Sequence, residues 1–210
     1  MPIYKGEVHR FGVDAHYTEF EATGFRKGVG SAKSYNDLYL PIAVSKPGGT
    51  APNWENLTGN IEAYTFAIGD YVYGSTELLH DYEEGGTIEV HLHWTTNGSE
   101  VGDTKVAFTF EYTWANFPNT GALPALAAAA TLTMADTTIA GGTADLTCQS
   151  TTIGNIALAT GKIGAQLIYR FQRVALAGAG SNPAADPFCI AIGVHYLADT
   201  QGSRSQYTKT

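Results

Sequence analysis

Residues 88–95, IEVHLHWT, and residues 104–115, TKVAFTFEYTWA, decide the fold. In the first run Ile88, Val90, Leu92 and Trp94 alternate with Glu89, His91, His93 and Thr95. In the second, Val106, Phe108, Phe110, Tyr112 and Trp114 alternate with Lys105, Ala107, Thr109, Glu111 and Thr113. Neighbouring side chains of a strand point to opposite faces, so a period of two marks strands with one face in a core and the other outside it. The Gly-containing stretch NGSEVGD at 97–103 predicts a hairpin, with Leu92 opposite Phe108 and Val90 opposite Phe110. The apolar face then points inward, and His91 and His93 point away from it.

Further runs of the same kind lie on either side. Tyr35–Val44 places Leu38, Leu40, Ile42 and Val44 on one face, with Pro41 marking an edge or a bulge. The stretch SKPGGTAPNWENLTGN at 45–60 reads as a surface loop, and 61–73 as a strand with Tyr64, Phe66 and Ile68 on one face. Ser75-Thr76-Glu77 before ELLHDY predicts a capped helical turn. Near the C-terminus, Ala165, Leu167, Tyr169 and Phe171 alternate with polar residues, and Phe188, Ile190, Ile192, Val194 and Tyr196 share a face. Between them, 119–160 is filled with Ala, Thr and Gly, its only charges being Asp136 and Asp145 between 120 and 160. ATLTMA and DLTCQS there read as short strands, suited to a flat surface against another subunit or to a loosely specified insertion.

About eight such strands, each with one apolar face, need a second layer to cover them. The predicted fold is therefore all-β, an antiparallel β-sandwich of jelly-roll type. Residues 1–34 form an extended N-terminal arm, 35–198 the sandwich domain and 199–210 a polar C-terminal tail. In the arm no period persists, and Tyr4, Phe11, Tyr17, Phe20 and Phe25 stand as isolated aromatics beside Arg26 and Lys27. Such residues serve as contacts to a neighbouring subunit, or else form a strand and loop folded on the domain itself.

Composition agrees. The 210 residues hold 15% charged residues, below the roughly 25% of ordinary soluble domains, together with 24 Gly, 12 Tyr and 9 Phe. The net charge is −8, and phosphate neutralisation needs clustered Lys and Arg, so nucleic acid is excluded as a partner. The most apolar window, Ala122–Ala135, is too short and too weak to span a bilayer, and MPIYKGEVHR lacks the apolar core of a secretory signal, so no membrane association is expected. Cys148 and Cys189 form no CxxC pair and read as reduced, semi-buried residues of a chain made in cytoplasm.

Chemistry has one candidate. Two histidines two apart on a strand share a face, so His91 and His93 could ligate a metal ion, with His195 on a later strand as a third ligand. The spacing Gly85-x5-His91-x-His93 resembles the opening of the cupin metal motif, which implies a metalloenzyme. Thr96, Asn97 and Gly98 stand where that pattern wants a Glu, and its ligands face the barrel interior whereas these histidines face out. Outward scaffolding is the favoured reading, with no cofactor and no catalytic residue. No nucleophile elbow, P-loop or dinucleotide fingerprint is present. Glu89 and Glu111 would face each other beside His91 on the hairpin's outer side.

Three separated stretches carry a resemblance. His-x-His-Trp at 91–94, Glu-Tyr-Thr-Trp-Ala-Asn at 111–116, and His195-Tyr196 with Asp199-Thr-Gln-Gly-Ser-Arg204 and Tyr207 resemble a family of structural proteins of tailed bacteriophages. Leu78-Leu79-His80 and the Glu84-Gly85 turn stand where such proteins carry a similar His and turn, while Leu92 replaces the Pro often found there. The resemblance covers about 64–116 and 188–208. It implies a virion component with a jelly-roll body: a non-enzymatic capsid decoration, or cement, protein that clamps major capsid protein subunits on the capsid surface. Decoration requires a closed homo-oligomer, with a trimer favoured over a dimer. A tail, neck or head-fibre component that binds host glycans is the alternative within the same virion, and the metalloenzyme using His91, His93 and His195 is the alternative of another class.

Overall fold

The alternation in the two diagnostic runs is realised as expected: Ile88, Val90, Leu92, Trp94, Val106, Phe108 and Phe110 are all buried, with Tyr112 and Trp114 packed against them. Their pairing is not. The computed structural model describes residues 8–40, 42, 50–117, 125–205 and 208–209. Among these run β1 (His9–Val13), β2 (His16–Phe20), β3 (Arg26–Val29), β4 (Ser34–Leu40), β5 (Asn53–Thr58), β6 (Ile61–Thr65) and β7 (Tyr71–Glu77). Then come β8 (Thr87–Thr95), β9 (Thr104–Ala115), β10 (Ala130–Thr133), β11 (Thr137–Ile139), β12 (Cys148–Ala157), β13 (Gln166–Val174) and β14 (Phe188–Ala198).

The predicted hairpin partners β8 and β9 lie in different sheets. One sheet has the order β12-β8-β14-β6-β5, with β4 also on β14; the other has β10-β9-β13-β7, with β11 also on β9. Every pairing is antiparallel. The segment 96–103 is therefore a corner between the layers. It is held by Thr96, whose hydroxyl donates to the Ala144 carbonyl and whose backbone N–H reaches Thr147. Leu92 and Phe108 both enter the core, from opposite sheets.

The two sheets pack as a sandwich around one apolar cluster. Phe108 stacks on Phe171 and Phe110 on Tyr169, each at 5.0 Å, across the β9–β13 pair. Phe66 meets both Phe108 and Phe171 edge-on, at 6.4 and 5.4 Å. Aromatic pairs of this geometry contribute about 0.5–1.5 kcal/mol each beyond their buried area. Gly74, cross-strand from Tyr169, leaves the space that the Tyr169 ring occupies, and a Cβ there would collide with its hydroxyl. One charge is sealed in beside the rings. Arg173 is 1% exposed and donates to Asp186 (2.5 Å) and to the Phe66 carbonyl (2.6 Å).

Several expectations are corrected by this arrangement. The segment 45–60 is not all loop, because Asn53–Thr58 forms edge strand β5 against β6; residues 43–49, including Val44, lie outside the described residues. The run 61–73 is two strands, and of its expected face Phe66 is buried while Ile68 is exposed. No helix follows Ser75. Those residues finish β7, and the turn after it drops Leu78 and Tyr82 into the core, where the Tyr82 hydroxyl donates to the Gly86 carbonyl at 2.7 Å. Ile190 points outward because a bulge between Cys189 and Ala191 shifts the register of β14 by one residue, which moves a side chain to the other face. Cys189 is fully buried and Cys148 exposed, so neither is semi-buried, and both are free.

The N-terminal segment, read as lacking any period, contains a separate three-stranded sheet β1-β2-β3. It is joined to the segment after β14: the Gly28 N–H donates to the Asp199 carbonyl at 2.6 Å, and Lys27 bridges Thr200. Arg204 pairs with Glu21, donates to Thr23 and lies 4.8 Å over the Phe25 ring. Asp199, Thr200 and Arg204 thus clasp the first sheet.

Candidate functional site

Two regions gather the residues that the sequence singles out. The first is on the outer face of the β12-β8-β14 sheet. Glu89 and His91 are two apart on β8 and share that face; in the ladder Glu89 stands opposite His195, and His91 opposite Gly193. On the other side of β14, His195 stands opposite Asp37 of β4. The backbone therefore sets Glu89, His195 and Asp37 in a row across three strands. His195 Nε2 lies 2.9 Å from Asp37 Oδ1, and Nδ1 lies 3.3 Å from Glu89 Oε1.

The His91 ring lies down over Gly193, since a Cβ on that residue would collide with its Nε2. It thereby comes within 4.1 Å of the His195 ring, centroid to centroid, and 4.8 Å of His93 edge-on. His91 is 6% exposed, and its Nδ1 has no hydrogen-bond partner among the described residues. Burial, then the neighbouring His195 and His93, hold its pKa below the ordinary imidazole value. Beside this group is an open cleft of about 700 Å³ lined by Tyr35, Asp37, Glu83, Glu89, Asn155 and His195.

The expected set His91, His93, His195 is thus brought onto one face, directed away from the core as anticipated. The three donors that converge are Glu89, His91 and His195, within 4.8 Å of one another, with His93 to one side. Glu111 is not opposite Glu89. It lies in the other sheet, opposite Arg170, with which it pairs at 3.7 Å. Asp37 escaped the sequence reading because its cross-strand partnership with His195 joins residues 158 positions apart; its one sequence signal is the outward alternation Tyr35, Asp37, Tyr39.

The second region is the N-terminal sheet. Pairing places Phe11, Val13 and Phe20 on one face with Arg26, and Arg10, Glu19, Tyr17 and Lys27 on the other. Phe11 (65% exposed) and Phe20 (39%) meet edge-on at 6.0 Å. On the opposite face Arg10 pairs with Glu19 at 2.6 Å and lies 4.7 Å over Tyr17. The predicted contact residues therefore divide: Phe11 and Phe20 form one exposed surface with the half-buried Arg26 beside them, Tyr17 and Lys27 lie on its back, and Phe25 is covered by Arg204. Tyr4 lies outside the described residues.

A third feature, unread in the sequence, is an apolar groove of about 300 Å³ between β5, β6 and the start of β14, lined by Trp54, Leu57, Ile61, Tyr64 and Ile190. Trp54 is 56% exposed and meets Tyr64 edge-on at 4.5 Å.

Residues of the three stretches singled out in the sequence have structural work in this fold. Trp94 is a core ring whose Nε1 donates to Thr151 at 3.1 Å, and the Tyr196 hydroxyl donates to Asp81 at 2.8 Å from the core. Asn116 bridges the Thr160 carbonyl and the Lys162 N–H, both at 2.9 Å. No protein-family model matches the chain, and no curated protein matches it.

Proposed function

We propose that this chain is a non-enzymatic structural protein of a tailed-phage virion, a jelly-roll decoration protein that binds major capsid protein subunits on the capsid surface. The observation that carries the reading is the N-terminal sheet, which is separate from both layers of the sandwich and keeps Phe11, Val13 and Phe20 in water. Exposed aromatic and branched side chains beside an Arg have the composition of an interface centre. A monomer gains nothing from displaying them on an outlying sheet. The sandwich core, filled with side chains from both layers, serves as a rigid body that carries this contact. Repeated attachment around a shell fits a closed homo-oligomer, with a trimer matching three-fold positions.

Purified protein mixed with expanded heads of the encoding phage tests this by sedimentation. The reading requires saturable co-sedimentation with a fixed number of copies per head, and failure to bind heads at any concentration contradicts it.

A second reading within the same virion, a tail, neck or head-fibre component that binds host glycans, is favoured by the Trp54–Tyr64 groove, because sugars stack on exposed aromatic faces. Glycan-array retention that is lost in Trp54→Ala supports this reading, and no retention removes it.

A further inference from the structure

We propose that Glu89, His91 and His195 form a binding site for one divalent transition-metal ion of the Zn²⁺ class, with Asp37 orienting His195. This is independent of the capsid reading and does not require catalysis.

The ligands are placed by the sheet itself. Residues two apart on one strand and a residue directly opposite on the next stand about 4.5–7 Å apart at Cβ, within reach of one ion. Glu89 and His91 supply the first pair and His195 the cross-strand partner. Gly193 completes the geometry, because only a residue without a Cβ lets the His91 ring lie across β14 towards His195.

The contacts of His195 point the same way. A neutral imidazole carries one N–H, yet both ring nitrogens of His195 face carboxylates, Asp37 at 2.9 Å and Glu89 at 3.3 Å. With the proton on Nε2 and donated to Asp37, the Nδ1 lone pair faces the Glu89 oxygen, and a cation between them removes that repulsion. A carboxylate that accepts from the far nitrogen of a ligating His is the usual outer support of a zinc site.

His91 adds the second observation. It is nine-tenths buried, it stands against His195, and its Nδ1 lacks a partner among the described residues. Such a group is costly to bury unless something binds the ring. Two imidazoles and one carboxylate suit Zn²⁺ and its neighbours, whereas Ca²⁺ and Mg²⁺ want oxygen alone. Tetrahedral bonds of about 2.0–2.1 Å put ligand atoms about 3.3 Å apart. Glu89 and His195 already stand at that separation, and the full set spans 4.8 Å, so side-chain rotation suffices to close it. The fourth position opens to the cleft. The competing occupant of the gap is a proton, which would make His195 an imidazolium paired with both carboxylates.

The test is titration of the chelator-stripped full-length protein with Zn²⁺ against a chromophoric competitor, with Co²⁺ as a spectroscopic probe. One ion per chain is expected, with a Co²⁺ visible band of nitrogen and oxygen ligation. Glu89→Gln, His91→Ala and His195→Ala should each weaken binding by more than the roughly 10–100-fold expected of Asp37→Asn, while His93→Ala and His80→Ala leave it unchanged. Glu89→Gln keeps size and polarity, so it remains informative if a histidine variant does not fold. Absence of a Co²⁺ band, or equal Zn²⁺ affinity in wild type and Glu89→Gln, overturns the site and leaves the proton, or an adventitious ion on exposed histidines, in its place.

Discussion

Replacing Phe11 and Phe20 together by serine strips the apolar face of the N-terminal sheet without touching the sandwich core. A phenylalanine side chain offers about 200 Å² for burial. With 65% and 39% of their surface exposed, the two rings hold on the order of 130 and 80 Å² available to a partner. At about 25 cal/mol per Å² this is about 3 and 2 kcal/mol if both become fully covered. Association recovers only part of such an area term, because ordering and imperfect desolvation oppose it. A loss of about 2–3 kcal/mol follows, which is a 30- to 150-fold weaker dissociation constant. The assay is sedimentation of expanded heads over a protein concentration series, with circular dichroism and thermal melting of the free variant alongside. The melting of the sandwich should not move, because neither ring belongs to the core cluster. A binding midpoint equal to that of wild type, in a variant that keeps its fold, would refute the assignment of this face as the contact.

Asp186→Ala should cost about 2–3 kcal/mol in urea unfolding, because it leaves the buried Arg173 guanidinium without its carboxylate; the value lies below the usual range for a buried pair since Asp186 is half exposed. Arg173→Met, which removes the charge as well, should cost no more, and the reverse order would contradict this account of the pair. Burial raises the hydroxyl pKa of Tyr82 to about 12 and moves Tyr169 and Tyr196 upward too. The folded state then holds protons that the unfolded chain releases near pH 10, so stability is full below pH 10 and falls as the pH rises towards 12. A urea midpoint flat across that window would count against these buried hydroxyls. Thiol titration of the native protein should modify Cys148 alone, since Cys189 is buried and its thiol pKa is raised by desolvation; two fast-reacting thiols would be inconsistent with β14 as a central strand.

The faces of β8, β9 and β13 were legible in the sequence because a period of two records which side of a strand is buried. It does not record the partner. The Gly-rich segment 97–103 has the same local chemistry whether it closes a hairpin or turns a corner between sheets, and the true neighbours of β8 are β12 and β14, some 60 and 100 residues onward. Strand β5 was hidden because its two apolar residues, Trp54 and Leu57, stand three apart, out of step with a period of two, and a bulge between Asn56 and Thr58 breaks the register. The sheet β1-β2-β3 was hidden because its rings are exposed, so no buried face imposes a pattern. The bulge that turns Ile190 outward likewise has no sequence mark. At the candidate site, alternation alone placed His91 and His195 outside the core. Asp37 required the long-range ladder, and the role of Gly193 was visible only once His91 was seen to lie on it.

Electron cryomicroscopy of purified virions would locate the chain, because this sandwich with its outlying three-stranded sheet is recognisable in density. It should lie on the outer capsid surface at a symmetry position, with Phe11 and Phe20 covered by a neighbouring capsid subunit. Its absence from the shell, or a position there with those two rings facing solvent, would contradict the capsid reading.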